Sequence, residues 1–142
     1  MSIVSQKRGG LALFGSPVHA SSHRIRLVCQ AKDLEIDYVE IDPDNIPADL
    51  IEINPTGRLP TLIDRDLVLF DERVVSEYLD ERFPHPQLMP GDPVMRGRGR
   101  LVLFRMEKEL FSHVQKLESH ETSAKEQAKA REAIGQGLTL LA

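Results

Sequence analysis

Four prolines fall within ten residues near the middle of the chain, Pro84, Pro86, Pro90 and Pro93, with Gly91 among them. Each proline fixes its own φ and removes a backbone donor, so neither a helix nor a strand can run through the stretch. The sequence must therefore fold as two parts joined at that linker, residues 1–88 and residues 89–142. With 142 residues in all, the first part has the size of a small complete domain and the second that of part of another.

The first part alternates short apolar runs with helical patterns. Leu11-Ala-Leu-Phe14, closed by Gly15-Ser16-Pro17, predicts a buried strand entering a loop. Ser21 or Ser22 is the expected cap of a helix reaching Lys32, in which Ile25, Val28 and Cys29 recur at helical spacing. Residues 38–41 predict a second strand, and Pro43 and Pro47 punctuate the way to a helical turn near residues 48–53. Leu62-Ile63 and Leu67 to Phe70 are two strands joined by Asp64-Arg65-Asp66, a tight hairpin. A helix follows from Glu72 to Arg82, with Val74, Val75, Tyr78 and Leu79 on one apolar face and Pro84 and Pro86 as its stop. The order is βαβαββα. Its first crossover demands a parallel pair and its closing hairpin adds antiparallel strands, so the sheet is mixed.

The second part reads as all-helical. Residues 94–117 predict one long helix with Leu101, Phe104, Leu110 and Val114 inward, its first turns weakened by Gly97 and Gly99. Residues 123–141 predict another, polar and Ala-rich at first, with Gly135 and Gly137 near its end. Two helices cannot enclose a core of their own. The expectation is an incomplete helical domain and a truncated chain.

Composition narrows the functions. Hydrophobic residues at 41% and charged residues at 28% suit a globular core. No run approaches the roughly 18 apolar residues of a membrane span. The start, Met1 to Gly10, is polar and lacks the apolar stretch of a signal peptide, which predicts a cytoplasmic protein with no membrane partner. Cys29 is the single cysteine, which excludes an internal disulfide and a CxxC redox pair and reads as a small buried hydrophobe. Residues 1–90 carry 9 Lys+Arg against 15 Asp+Glu, and residues 91–142 carry 9 against 7. The acidic first part argues against nonspecific nucleic-acid binding, which rests mainly on basic side chains meeting phosphates.

The segment Asn54-Pro-Thr-Gly-Arg-Leu-Pro-Thr-Leu62 resembles the N-P-x-G-x-V-P-x-L signature of glutathione transferases. The resemblance implies a thioredoxin-like N-terminal domain and an all-α C-terminal domain, with a cis bond before Pro60 and the Leu59 backbone facing the cysteinyl part of glutathione. Asp71-Glu-Arg-Val-Val-Ser-Glu-Tyr-Leu-Asp-Glu-Arg-Phe-Pro-His-Pro86, then Leu88-Met-Pro90, and the earlier Ser22-His-Arg-Ile-Arg26, resemble the stringent starvation protein A family. That likeness, from about Arg8 onward, implies a transcription regulator in the bacterial cytoplasm. It would bind RNA polymerase holoenzyme with its housekeeping sigma factor, as a homodimer or a heterodimer with a paralogue, without sequence-specific DNA binding of its own.

Two departures speak against catalysis. Related enzymes place a Ser, Cys or Tyr after the first strand, where a helix N-terminus lowers the thiol pKa of glutathione. With Ser22 matching the serine of C-P-[FY]-S, the cysteine position falls on His19. Enzymes also present Glu-Ser or Asp-Ser at the start of the third helix to hold a carboxylate. Here the pair is Asp71-Glu72, and Glu72 sets a second negative charge where that carboxylate docks. The expectation is a non-enzyme that binds glutathione weakly or not at all, with His19, Leu59, Pro60, Asp71 and Glu72 as a vestigial site and no cofactor or metal. The rival is a glutathione transferase in which Ser16, His19 or Ser21 activates the thiol. His19 and His23 have helical metal-ligand spacing but lack a third ligand, and read as ordinary surface or core histidines. Phe83, Pro84, His85 and Pro86 are the candidate partner surface, a rigid segment that loses little entropy on docking, with Arg96 and Arg100 beside it in the Arg96, Arg98, Arg100 cluster.

Overall fold

The computed structural model describes residues 4, 9–119 and 121–142; the rest of the polar start, Met1 to Gly10, lies outside them, as does Arg8. The chain divides into two compact units, Met1–Leu88 and Met89–Ala142. The first runs β1 (Leu11–Gly15), α1 (Ala20–Ala31), β2 (Asp37–Glu40), α2 (Ala48–Ile53), β3 (Thr61–Asp64), β4 (Leu67–Phe70) and α3 (Glu72–Arg82). This is the βαβαββα order the sequence predicts.

The strands lie in the order β2-β1-β3-β4. β1 runs parallel to β2 and antiparallel to β3, and β3 runs antiparallel to β4, so the sheet is mixed as expected. Side chains alternate across it with the two-residue period of a strand. Leu13 and Leu62 join Ile25 and Cys29 of α1 and Val75 and Leu79 of α3 in one buried cluster. Ala12, Phe14 and Ile63 point the other way, toward Leu50 of α2, Ile41 and Val4. Gly15 is glycine because a Cβ there would sit 2.9 Å from Tyr38 Cε2 and 3.1 Å from Ser22 Cβ.

Three local expectations need correction. α1 begins at Ala20 with His19 as its cap residue, and no side chain caps it. Neither Ser21 nor Ser22 does so, because both lie within the first turn of the helix, past the cap position. β2 begins one residue earlier than predicted, where Asp37 pairs with Ala12, and Ile41 still donates to the Gly15 carbonyl (2.9 Å). Val74 is 49% exposed; of the predicted apolar face of α3, Val75 and Leu79 are buried and Tyr78 half-buried. Tyr78 instead donates from Oη to Asp64 Oδ2 (2.7 Å), tying α3 to the hairpin.

The second unit holds α4 (Pro93–Met106), a π-helical stretch (Glu107–Phe111), α5 (Ser112–Glu118) and α6 (Ala124–Leu141). The predicted single helix is thus interrupted by a wider turn. α4 is capped by Asp92, which accepts from the Met95 amide (2.8 Å), with Pro93 at its first turn. α6 opens on a capping box between Ser123 and Glu126. It passes so close to the π-helical stretch that a Cβ on Gly137 would lie 3.1 Å from the Glu109 carbonyl oxygen. Leu101 and Phe104, expected inward, are exposed, while Leu110 and Val114 are half-buried.

Candidate functional site

The loop from Asn54 to Pro60 is fastened by its own side chains. Buried Asn54 donates from Nδ2 to the Arg58 carbonyl (3.0 Å) and to Thr61 Oγ1 (2.9 Å), and its Oδ1 accepts from Thr56 Oγ1 (2.6 Å). Gly57 takes φ +62° and donates to the Asn54 carbonyl (3.0 Å), a turn that suits glycine. The Leu59-Pro60 bond is cis. Across from it, Ser21 Oγ donates to the Leu59 carbonyl (3.3 Å), stitching the first turn of α1 to this edge.

Of the hydroxyls near the start of α1, that of Ser21 is therefore used as a donor. A serine has one O–H proton, and that of Ser21 is committed to Leu59, so in this arrangement it cannot also donate to a thiolate. Ser16 is buried; its amide donates to Ser22 Oγ (3.0 Å), and its own Oγ accepts from the Val18 amide (3.3 Å). His19, the residue before α1, is exposed. Burial pushes the Cys29 thiol up to about 11, its backbone hydrogen bond pulling weakly the other way, so at neutral pH it is a protonated core side chain.

At the start of α3, Asp71 takes φ +76° and caps the helix, Oδ1 accepting from the amides of Arg73 (3.0 Å) and Val74 (3.4 Å). Partial burial raises its carboxyl, but those two amides and the Arg73 guanidinium outweigh it and hold the group below the ordinary aspartate value. Glu72, half-buried, follows directly. Two carboxylates thus stand at one helix N-terminus, and one of them already uses the amides of Arg73 and Val74.

The segment after α3 is held from beneath by residues the sequence reading did not single out. Lys32, the cap residue just after α1, donates from Nζ to Asp80 Oδ1 (2.7 Å) and to the Pro86 carbonyl (2.6 Å). Asp80 Oδ1 also accepts from the Leu88 amide (2.8 Å). The side chains are 0% and 7% exposed. Above this pair Pro84, His85 and Pro86 are exposed, and the His85-Pro86 bond is cis. Phe83 is half-buried against the cluster around Leu79, with the Arg82 guanidinium 5.1 Å from its ring centre. A signal for the pair was present: Ile25, Cys29 and Lys32 keep one helical stripe, and a lysine on a buried stripe requires a partner.

In the second unit Arg96 donates from Nε to the Pro90 carbonyl (2.9 Å), while Arg98 and Arg100 are exposed. Among the described residues no group of three or more His, Cys, Asp or Glu has metal-binding geometry, and no helix is long and apolar enough to cross a membrane.

The family described as glutathione S-transferase, N-terminal domain, matches residues 13–87. The chain is 46% identical over 112 residues to a stringent starvation protein A homolog of Haemophilus ducreyi, covering 79% of this chain and 52% of that protein. It is 42% identical over 133 residues to the homolog of Haemophilus influenzae, covering 91% and 63%. The chain thus spans roughly half to two thirds of these curated relatives. Among solved structures, glutathione transferase Omega 3C from Trametes versicolor superposes with a TM-score of 0.82 at 21% identity, over 95% of this chain and 59% of that one. The bacterial transferase BphK gives 0.81 at 22% identity, over 92% and 68%. A thioredoxin-like domain followed by helices, with the N-P-x-G loop and the segment from Asp71 to Pro90 in place, carries the same assignment as these likenesses: the chain belongs to the glutathione S-transferase superfamily, in its stringent starvation protein A family.

Proposed function

We propose that this chain acts by binding a macromolecule: the Phe83 to Pro86 segment engages RNA polymerase holoenzyme carrying its housekeeping sigma factor, and so adjusts transcription in the starvation or stress response. The observation that carries the reading is the exposed Pro84-His85-Pro86 surface, fastened from below through the Pro86 carbonyl and the Leu88 amide. A surface already held in shape loses little freedom on docking. Arg96 and Arg100 provide a second contact, Arg96 through an arginine partly oriented by Pro90. The names of the 42–46% identical relatives support the same reading. The protein works in the cytoplasm as a homodimer or a heterodimer with a paralogue, and has no sequence-specific DNA contact of its own.

On this reading His19, Leu59, Pro60, Asp71 and Glu72 are a vestigial glutathione site, and the protein is not an enzyme. Support comes from the Ser21 hydroxyl committed to Leu59, from the burial of Ser16 and from Glu72 beside the capping Asp71. The rival reading, glutathione conjugation to electrophiles, draws on the position of Ser21 Oγ at the Leu59-Pro60 edge. Turnover of an aryl halide by the purified protein, abolished by Ser21→Ala, would establish it. Co-purification with polymerase, lost in a Pro84→Ala, His85→Ala, Pro86→Ala triple variant, would establish the first.

A further inference from the structure

We propose that Lys32 and Asp80 are positioning residues: a buried ion pair that sets the shape of the Phe83 to Leu88 surface. The proposal deepens the partner-binding reading, and its consequence for binding rests on that reading. Pro84 and Pro86 have no N–H, so this segment has fewer backbone donors with which to fold on itself. The fastening comes from the two helices that pack side by side on one face of the sheet. Lys32 caps the C-terminus of α1, where the carbonyl end of the helix favours a cation. Asp80 lies in the last turn of α3, three residues before Phe83.

The three bonds form one connected strut. Nζ of Lys32 divides its donors between Asp80 and the Pro86 carbonyl, and Oδ1 of Asp80 divides its lone pairs between Lys32 and the Leu88 amide. Pro86 and Leu88 are thereby held at fixed points, on either side of Gln87 and directly after His85. Two apolar side chains of the same volume could fill the space but could bond neither the carbonyl nor the amide. A buried ion pair is weak evidence of stabilisation in itself. Here two bonds of the pair go to the loop, which makes loop geometry its distinct contribution.

The test compares the wild-type chain with the Lys32→Met/Asp80→Leu double variant and with the Pro84, His85, Pro86 triple-alanine variant. The double variant should keep the wild-type circular dichroism and melt within a few degrees of it. Its Leu88 amide should exchange with solvent at least tenfold faster, the His85 ring resonances should move, and affinity for RNA polymerase holoenzyme should fall at least tenfold. Asp80→Asn guards against a double variant that does not fold: a neutral oxygen holds an amide and an ammonium less strongly than a carboxylate. It should speed Leu88 exchange by at least threefold and shift His85 in the same direction. Unchanged Leu88 exchange and His85 resonances in a folded variant overturn the proposal. So does wild-type polymerase affinity in a variant whose loop signals have moved, if the triple-alanine variant has lost binding. If the wild-type chain itself does not bind polymerase, the partner reading fails, and the exchange and resonance measurements alone decide the strut.

Discussion

Replacing Asp80 by Leu leaves the Lys32 ammonium in a space where its side chain is fully buried, facing the Pro86 carbonyl without its carboxylate. Removing one partner of a buried pair destabilises by about 3–5 kcal/mol, because the remaining charge keeps its desolvation penalty and loses its compensation. For a chain of this size each kcal/mol shifts Tm by roughly 3 °C, so Asp80→Leu should melt about 10 °C lower. Adding Lys32→Met removes the stranded charge and replaces the pair with apolar volume. The Pro86 carbonyl and Leu88 amide, both only partly buried, can then turn to water. The double variant should recover to within about 1 kcal/mol of wild type. Urea denaturation of the four proteins in a double-mutant cycle measures the coupling. A single Asp80→Leu variant as stable as wild type, or a double variant as unstable as the sum of the two single changes, would refute the buried-pair account.

Other regions give independent outcomes. Asp71→Ala removes the cap of α3 and sets alanine at φ +76°, which should cost about 1–2 kcal/mol at pH 7; Asp71→Gly tolerates that φ and should cost less. Because the folded-state value of Asp71 lies below its unfolded one, this contribution is present above the ordinary aspartate range and fades as pH falls through the lowered value. The urea midpoints of wild type and Asp71→Ala should therefore converge from pH 7 toward pH 3. Cys29, buried and held up to about 11, should resist an aromatic disulfide reagent in native buffer at pH 8 and react fully in denaturant. Calorimetric titration with glutathione should detect no micromolar binding to wild type, and Glu72→Ser should raise the affinity several-fold by removing the second negative charge.

Much of the fold was legible because its signals are local. The run from Leu11 to Phe14, the hairpin joint and the helix closed by Pro84 each depend on near neighbours. The first and last stand where the residues placed them, and the joint tightens to Arg65-Asp66 because Asp64 of β3 pairs with Leu67. The start of α1 was not legible, since a serine's preference for a cap position is outweighed once Ser22 Oγ can accept from the Ser16 amide and Ser21 Oγ can reach Leu59. Leu101 and Phe104 were read inward from spacing alone, and spacing says which residues share a face without saying what covers it. The strut under Pro86 is the clearest case of long-range structure: Lys32 and Asp80 are 48 residues apart, and the packing of α1 beside α3 brings them together. The surface residues Pro84, His85 and Pro86 were visible in the sequence; what fastens them was not.

Binding of immobilised RNA polymerase holoenzyme tests the central claim most directly, with the wild-type chain and the Pro84, His85, Pro86 triple-alanine variant measured side by side. The account predicts saturable binding by wild type and at least a tenfold loss in the variant, with unchanged thermal stability. Equal binding by the two proteins, or none by a folded wild-type chain, would contradict it.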